Sequence, residues 1–391
     1  MRKHEILVLN SISPVGLNRF PAEHYHVARE VARPDAILVR SAPMHDMAIA
    51  DSVRAIGRAG AGTNNIPVAA MSQRGVPVFN APGANANAVK ELVLAGMLIA
   101  ARNLVSAVGF VRTLAGDADA DKRIEKEKSR FAGIELPGHT LGVIGLGRIG
   151  SLVADAAIKL GMNVFGYDPE ITVDAAWSLP QQVRRANSLD ELLRASEFVS
   201  LHVPLVDATR GLIDQRALSQ VRAGTILLNF SREGIIDEEA VLEALAGDRL
   251  ASYVTDFPTP ALLAHERVIA LPHLGASTRE AEDNCAVMVV DQVRDYLEHG
   301  NVRNAVNFPD VVMTRESPYR VAIANANVPN MVGQISTTMA RAGLNIHTML
   351  NKSKGEMAYT LVDVDSAVPE ALVASLAAID GVLAVRYLPR T

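Results

Sequence analysis

The stretch TLGVIGLGRIG, residues 140–150, is the feature that most constrains the fold of this chain. It sets Gly145, Gly147 and Gly150 in the spacing GxGxxG, directly after an apolar run and directly before a helical stretch at 151–161. In a strand–turn–helix unit the first glycine permits a tight turn, the second lets backbone N–H groups approach a pyrophosphate, and the third lets the helix pack on the strand. The pattern predicts a dinucleotide-binding unit, with a purely structural glycine turn as the alternative.

An acidic residue ends the next strand-like run. NVFGYD closes at Asp168, where a carboxylate can accept hydrogen bonds from the ribose hydroxyls of a dinucleotide. The same charge would repel a 2′-phosphate. The sequence therefore predicts NAD as the cofactor rather than NADP.

Short apolar runs alternate with helical stretches along most of the chain, which is typical of α/β proteins. The runs lie at 5–10, 36–40, 53–57 and 76–79, and six more lie between 140 and 273. We expect two doubly wound parallel-sheet lobes, a flavodoxin-like one for substrate and a Rossmann one for NAD, with the substrate in the cleft between them. The predicted bounds are 1–100, completed by 280–308, for the first lobe and 101–279 for the second.

The pattern changes from about Tyr319. Residues 319–391 read as β-α-β-β-α-β, the split arrangement of ferredoxin-like α+β domains. We expect a third, small domain there, either regulatory or purely oligomerising.

Composition excludes several classes of function. A net charge of −5 argues against a general nucleic-acid binder, and the N-terminal apolar run is too short for a membrane span or signal peptide. The single cysteine, Cys285, rules out an intrachain disulfide or a cysteine-rich metal site, so we expect a cytoplasmic protein that needs no metal. We therefore expect a protein that acts on a small molecule.

Two side chains stand just beyond predicted strands of the second lobe, where ligands of such sheets bind. Arg232 follows TILLN, and His273 follows RVIALP. An arginine can orient a substrate carboxylate, and a histidine can exchange a proton near neutral pH, which together suit hydride transfer at a 2-hydroxy acid. The alternatives are a surface ion pair of Arg232 with Glu233 and a hydrogen-bonded core histidine at 273.

These motifs occur in the order found in a known enzyme family. GLGRIG with Asp168, HVP at 202–204, TRGLI at 209–213, NFSREGIID at 229–237, TDF at 255–257 and PHLGAST at 272–278 resemble the D-isomer-specific 2-hydroxy acid dehydrogenases over roughly residues 1–308. The resemblance implies that Arg232 and His273 are catalytic. It also implies a set of NAD contacts: Gly145, Gly147, Arg148, Ile149, Gly150, Asp168, His202, Pro204, Thr209, Phe230, Ser231, Asp256, Gly275 and Ala276.

Two stretches of the first lobe, 54–68 and 78–93, resemble the members of this family that act on 3-phosphoglycerate. The resemblance implies oxidation of 3-phosphoglycerate to 3-phosphohydroxypyruvate with NAD, the first step of serine synthesis, in a homodimer or homotetramer. Backbone N–H groups of Gly60, Ala61 and Gly62 would hold the substrate carboxylate. Arg40, with Ser41, would hold its phosphate.

The chain departs from the family pattern beside the histidine. The family has a glutamate a few residues beyond the aspartate of the nicotinamide site, but here DFPTPALLAHERV has Pro260 and Ala261 in that region. Glu266 is the nearest glutamate. Either Glu266 partners His273 from a shorter loop, or the histidine works without a carboxylate.

The C-terminal unit is similar to the ACT domain that many of these enzymes carry. In its serine site the matching positions are Asn325, Asn327 and Asn345, so L-serine is a possible effector. Two other functions stay open: a different D-2-hydroxy acid dehydrogenase of the glyoxylate or hydroxypyruvate reductase type, and a non-catalytic NAD-sensing protein.

Overall fold

The computed structural model describes residues 3–390, apart from the side chain of Asp174. It contains two compact units. One comprises the chain up to Asn85 together with the chain from Arg279 onward, and the other comprises Ala86–Thr278. The first unit is thus discontinuous in sequence.

The first unit contains a parallel five-stranded sheet. Its strands are β1 (His4–Leu9), β2 (Tyr25–Ala28), β3 (Ala36–Val39), β4 (Ala55–Arg58) and β5 (Val78–Phe79), in the order β2-β1-β3-β4-β5. The helices of this part are α1 (Pro14–Leu17), α2 (Val68–Gln73) and the long α12 (Arg279–His299). Ile6 and Leu38 face one apolar core, while Leu7 and Ile37 face another, so both faces of the sheet are covered. The strand order is that of flavodoxin-like sheets.

An antiparallel sheet follows α12 within the same unit. Its strands are β13 (Tyr319–Ala326), β14 (Ile346–Lys354), β15 (Met357–Val364) and β16 (Val382–Pro389), in the order β14-β15-β13-β16, with helices α13 (Met331–Arg341) and α14 (Glu370–Ala377). Val321 and Ile323 pack with these two helices on one face. Ala322 and Tyr359, on the other face, join the core around α12. The order and direction of the strands give the expected ferredoxin-like β-α-β-β-α-β unit.

The second unit is a parallel seven-stranded sheet with helices on both faces. Its strands are β6 (Thr140–Ile144), β7 (Asn163–Tyr167), β8 (Val183–Arg185), β9 (Phe198–Leu201), β10 (Thr225–Asn229), β11 (Leu250–Thr255) and β12 (Val268–Ala270), in the order β12-β11-β10-β9-β6-β7-β8. Its helices are α3 (Ala86–Ala101), α4 (Leu104–Thr113), α5 (Ala120–Glu127), α6 (Arg148–Lys159), α7 (Val173–Trp177), α8 (Leu189–Ala195), α9 (Gln215–Gln220), α10 (Glu238–Ala246) and α11 (Pro260–Leu263), with a 3₁₀ turn at Lys128–Phe131. The strand order reverses between β6 and β9, which is the Rossmann arrangement.

The predicted fold class is confirmed, and a few elements differ from expectation. The long apolar stretch NAVKELVLAGMLIAARNL at 87–104 predicts one buried helix. The observed helix ends at Ala101, because Asn103 adopts a left-handed backbone with φ of 51° and a second helix starts after it. This helix belongs to the second unit, whereas the predicted boundary had placed it in the first lobe. Strands β2 and β8 were not expected. Both are short, and β8 reads VRR, which lacks the apolar pattern of a buried strand.

Within the described residues, no single helix is both long and apolar enough to cross a bilayer. Helices α3 and α4 are long and apolar enough only when taken together, and their axes are bent by 63° at the break between them.

Candidate active site

The glycine turn joins β6 to α6 in the second unit. Gly145 has a φ of +89°, and a side chain there would approach the carbonyl oxygen of His202 to 2.6 Å. A Cβ on Gly150 would lie 1.9 Å from the carbonyl oxygen of Gly145, so the helix can pack this closely only with glycine. A Cβ on Gly147 would have no described atom within 4 Å. Protein atoms therefore crowd the turn at Gly145 and Gly150, whereas the space beside Gly147 holds no described atom.

The amino end of α6 faces this open space. Gly147 is its N-cap residue, and Arg148 and Ile149 begin the helix, with Arg148 exposed. The first N–H groups of a helix have no partner within it and attract anions. A space over glycine at a helix amino end fits the pyrophosphate of a dinucleotide.

Asp168 lies immediately after β7 and is hydrogen-bonded to the turn. Its Oδ2 accepts from the N–H of Leu146 at 2.8 Å, and its Oδ1 accepts from the N–H of Glu170 at 3.0 Å. Each carboxylate oxygen can accept more than one hydrogen bond, and the side chain is half-buried. Asp168 therefore stabilises the glycine turn through its hydrogen bond with Leu146, and its oxygens can still accept hydrogen bonds from ribose hydroxyls.

The segment after β9 carries three of the predicted NAD contacts. The imidazole of His202 contacts the Ser200 hydroxyl, with 2.9 Å between Nε2 and Oγ. Burial lowers the pKa of His202 to about 3, so the ring is neutral at physiological pH. The loop beyond it is closed by Thr209, whose hydroxyl donates to the carbonyl of Pro204 and accepts from the N–H of Val206 at 2.9 Å.

A buried asparagine shapes the turn after β10. The Oδ1 of Asn229 accepts from the N–H of Ser231 at 3.1 Å, and its Nδ2 donates to the carbonyl of Arg232 at 3.0 Å. Phe230 is buried in the core, and the Ser231 hydroxyl donates to the Leu201 carbonyl. Only the backbone of these two residues could face a cofactor. The Arg232 side chain is exposed and donates to the Ser231 carbonyl at 2.6 Å.

His273 lies three residues beyond β12 on a loop fixed by Asp256. The histidine has a φ of 55°, in the left-handed region, and its ring meets Phe257 edge-on with 5.0 Å between centroids. Asp256, which is 1% exposed, accepts hydrogen bonds from the N–H groups of Leu274 and Gly275, each at 2.7 Å. Next along the loop, Ala276 is half-buried. His273 itself is exposed, so the alternative of a buried core histidine is wrong.

Glu266 lies in the turn before β12 and is exposed. Among residues 3–390, no carboxylate lies within 4 Å of the His273 ring nitrogens. This arrangement favours a histidine that works without a carboxylate partner.

The first unit carries the residues expected to bind substrate. Arg40 follows β3, and its Nη2 lies 2.7 Å from Oε1 of Glu282 on α12, in a partly exposed ion pair. Ser41 Oγ accepts from the side-chain amide of Asn10 at 2.7 Å. Both residues therefore stand at the carboxyl end of the first sheet, where α/β proteins bind ligands.

The loop after β4 runs through Gly60, Ala61 and Gly62. Gly60 has a φ of +155°, and a Cβ there would lie 1.7 Å from a guanidinium nitrogen of Arg58. Arg58, a residue that the motifs did not single out, donates from Nε to the Arg40 carbonyl at 3.0 Å. A cation that follows a parallel strand is the signal that identified Arg232, and the same signal was available in AIGR at 55–58.

The three asparagines expected to bind an effector are not gathered in one place. Asn325 is fully buried at the end of β13, its Nδ2 donates to the Ala326 carbonyl, and its Oδ1 has no hydrogen-bond donor within residues 3–390. Asn327 donates to the Gly355 carbonyl at 3.0 Å. Asn345 pairs with Asp365 beyond the far end of β15, whereas Asn325 pairs with Ala358 near its start. Asp365 lies seven residues beyond Ala358, which corresponds to roughly 23 Å of strand, so one chain cannot place all three around one serine.

Comparisons with known proteins agree with this geometry. Residues 94–275 match the profile of the "D-isomer specific 2-hydroxyacid dehydrogenase, NAD binding domain". In overall fold the chain is similar to the NAD⁺-bound 3-phosphoglycerate dehydrogenase of Entamoeba histolytica, with a TM-score of 0.60 and 26% identity over 78% of this chain and 99% of that one. It is also similar to the TT0316 protein of Thermus thermophilus, with a TM-score of 0.64 and 26% identity over 77% and 99% of the two chains.

Curated relatives extend the match beyond the second unit. The D-3-phosphoglycerate dehydrogenases of Haemophilus influenzae and Escherichia coli are each 32% identical, over 84% and 87% of this chain and 79% and 82% of their own lengths. That of Methanocaldococcus jannaschii is 38% identical over 67% of this chain. The chain spans about half the length of this enzyme and of its Archaeoglobus fulgidus counterpart, 49% and 53%. The chain therefore belongs to the D-isomer-specific 2-hydroxyacid dehydrogenase family.

Proposed function

We propose that this chain oxidises 3-phosphoglycerate to 3-phosphohydroxypyruvate with NAD, the first step of serine synthesis. The observation that carries the proposal is the common edge of the second sheet: Arg232 follows β10, His273 follows β12, and the glycine turn follows β6. The bacterial relatives named for this activity support the choice of substrate.

NAD would be held by the backbone of the turn from Gly145 to Gly150, by Asp168 at the adenosine ribose, and by the loops at Pro204–Thr209 and Gly275–Ala276. When bound, it supplies the oxidant, because its nicotinamide accepts a hydride from the substrate's hydroxyl-bearing carbon. Asp168 would also disfavour NADP by charge repulsion.

The protein's own contribution to the chemistry rests on two side chains. The exposed Arg232 guanidinium would bind the substrate carboxylate through paired hydrogen bonds and orient the carbon that is oxidised. A ring nitrogen of His273 would accept the hydroxyl proton as the alcohol becomes a ketone.

Arg40 is our candidate for the substrate phosphate. Its ion pair with Glu282 is partly exposed, with side-chain exposures of 33% and 41%, and such pairs contribute only about 0–1 kcal/mol. A phosphate dianion can therefore replace Glu282 at little cost. Backbone N–H groups at Gly60, Ala61 and Gly62 would receive the carboxylate.

The test is NADH formation with 3-phosphoglycerate, measured against glycolate, glycerate, lactate and other 2-hydroxy acids, and in reverse with glyoxylate and hydroxypyruvate. His273→Ala should lower kcat by about 10²–10⁴-fold, the usual contribution of a positioned acid or base. His347→Ala, at an exposed histidine of the C-terminal sheet, serves as the matched control. Faster turnover of glyoxylate or hydroxypyruvate would identify a different dehydrogenase, and no turnover with NAD bound would indicate a sensing protein.

We further propose a homo-oligomer in the cytoplasm. Helices α3 and α4 expose Leu98, Leu104, Val105, Val108 and Val111, a run of apolar side chains that a second copy could cover. The only cysteine, Cys285, is a buried free thiol, in keeping with a reducing compartment. Light scattering of the purified protein tests the assembly, with Val105→Glu expected to weaken it.

L-Serine remains the proposed effector of the ACT-like unit. Because Asn345 lies roughly 23 Å from Asn325 along the strands, a serine held by both would need two copies of the domain. Calorimetry with L-serine tests this, and an absence of heat together with unchanged kinetics would reject it.

A further inference from the structure

A cavity of about 630 Å³ lies inside the first unit, between the first sheet and strand β16. On the sheet side, His4 and Tyr25 begin β1 and β2, and Arg54 precedes β4. The last turn of α12 forms a second wall. Arg315 and the end of β16 form a third.

The cavity is strongly basic in a protein whose net charge is −5. Five arginines line it: Arg54, Arg294, Arg315, Arg386 and Arg390. His4, His24 and His299 line it as well, and Glu298 is the one carboxylate among the lining residues. Behind the wall, Asp35 lies 3.9 Å from both Arg54 and His4. Two carboxylates therefore face five guanidinium groups.

Two of these arginines are held by neutral carbonyl groups rather than by carboxylates. Arg386 donates from Nη1 and Nη2 to the carbonyls of Tyr296 and Leu297, at 3.1 and 2.9 Å, and its guanidinium lies 4.5 Å from the Tyr296 ring centroid. Arg315 donates to the carbonyls of Ser317 and Pro318 at 3.0 and 2.9 Å. These bonds fix the guanidinium groups in place, and neither arginine forms an ion pair within residues 3–390, although the nearby charge of Asp363 acts on Arg315.

One donor on Arg386 has no described acceptor. Its Nε is fully buried and makes no hydrogen bond within residues 3–390. A buried N–H without a partner is costly, and because this Nε is out of reach of solvent it adds positive charge beside the cavity rather than a contact within it. Charge excess and fixed orientation therefore coincide in this cavity.

We propose that this cavity binds a small polyanion, a metabolite that carries two or more phosphate or carboxylate groups. Arginine guanidinium groups pair with these two anions in the same planar geometry, so the shared chemistry defines the ligand class. The volume lies within the range typical of small-molecule sites.

The site is separate from the proposed substrate site. Parallel strands bring their amino ends to one edge of the sheet and their carboxyl ends to the other. The cavity lies at the edge where β1, β2 and β4 begin, whereas Arg40 and Gly60 lie where β3 and β4 end. Helix α12 connects the two edges, because Glu282 near its start pairs with Arg40 and Glu298 near its end lines the cavity. Sixteen helical residues span roughly 24 Å.

The test is isothermal titration calorimetry of the full-length protein with inorganic tripolyphosphate, with citrate and with ATP. Tripolyphosphate against citrate distinguishes phosphate from carboxylate ligands, and ATP shows whether a nucleoside adds affinity. Arg390→Gln and Arg294→Gln should each weaken binding by about tenfold or more, the value of one lost charge-assisted contact. Arg303→Gln, at an exposed arginine of the same unit outside the cavity, should leave the Kd unchanged.

The Arg40→Gln variant tests whether this site is distinct from the proposed substrate site. We expect Arg40→Gln to retain polyanion binding and both cavity variants to retain NADH formation with 3-phosphoglycerate. The proposal is overturned if none of the three anions binds, if Arg40→Gln abolishes binding, or if Arg390→Gln and Arg294→Gln bind as the unsubstituted protein does. Equal melting temperatures of the variants confirm that a loss of binding is not a loss of folding.

Discussion

The carboxylate of Asp256 accepts a 2.7 Å hydrogen bond from the backbone N–H of Leu274, the residue that follows His273. Its second oxygen accepts from Gly275, also at 2.7 Å. A non-glycine residue in the left-handed region, such as His273 with a φ of 55°, carries a strain of about 1–3 kcal/mol. Two bonds to a buried carboxylate offset that strain, so Asp256 positions the proposed proton acceptor through the backbone.

Replacing Asp256 with alanine should therefore release the His273 loop. We expect faster amide hydrogen exchange at Leu274 and Gly275 and a fall in kcat of about 10²-fold, since small displacements of reacting groups cost this much. Asp121→Ala, at an exposed position on α5 of the same unit, is the control. Unchanged exchange at both amides would show that Asp256 does not hold the loop.

Gly147 and Gly150 should respond differently to alanine. A Cβ on Gly150 meets the Gly145 carbonyl at 1.9 Å, so Gly150→Ala should destabilise the protein by about 1–3 kcal/mol. A Cβ on Gly147 meets no described atom within 4 Å. Gly147→Ala should therefore keep the melting temperature and still weaken NAD binding, because the methyl group would occupy the space for the pyrophosphate. Equal NAD affinity in Gly147→Ala would contradict the proposed cofactor position.

Asp168→Ala should narrow the preference for NAD over NADP. The loss of one charge-assisted contact corresponds to about 1.5–3 kcal/mol in NAD binding. The variant also removes the acceptor for the Leu146 N–H, so the cofactor-free protein should melt at a lower temperature. Fluorescence titration with NADH and NADPH measures the first effect. An unsubstituted protein that binds both cofactors equally would show that Asp168 does not select NAD.

Local signals in the sequence predicted most of the fold and the catalytic candidates. The glycine turn, Asp168, Arg232 and His273 each lie within three residues of the end of a strand, so strand prediction alone places them at one sheet edge. The hydrogen bonds of Asp256 could not be predicted in this way, because its partners are backbone N–H groups that lie 18 and 19 residues further along the chain. Likewise, the separation of Asn345 from Asn325 depends on strand register, which residue types near the strand ends do not reveal.

Stability should depend on pH through His202. Its pKa is about 3 in the folded protein and about 6.5 when unfolded, so the unfolded state binds more protons between these values. The free energy of unfolding should therefore fall as the pH is lowered below about 6.5, with a slope from this residue of at most about 1.4 kcal/mol per pH unit. The free energy of unfolding of the His202→Gln variant, measured by chemical denaturation, should fall less steeply as the pH is lowered. Parallel curves for both proteins would contradict the burial of a neutral imidazole.

The ion pair between Arg320 and Asp363 is fully buried, with 2.6 Å between Nε and Oδ1. Arg320 also donates to the carbonyls of His299, Met313 and Thr314, at 3.0–3.1 Å. Asp363→Asn leaves a buried guanidinium without a counter-charge and should cost about 3–5 kcal/mol in urea unfolding of the first unit.

A double variant separates the charge pair from the carbonyl contacts. Many buried pairs can be replaced by apolar side chains at little cost. Here Arg320→Met with Asp363→Leu would leave three buried carbonyls without donors, at about 1–3 kcal/mol for each unsatisfied group. We therefore expect the double variant to stay several kcal/mol less stable than the unsubstituted protein. Full recovery of stability in the double variant would mean that the carbonyl contacts contribute little and that the pair acts only through its two charges.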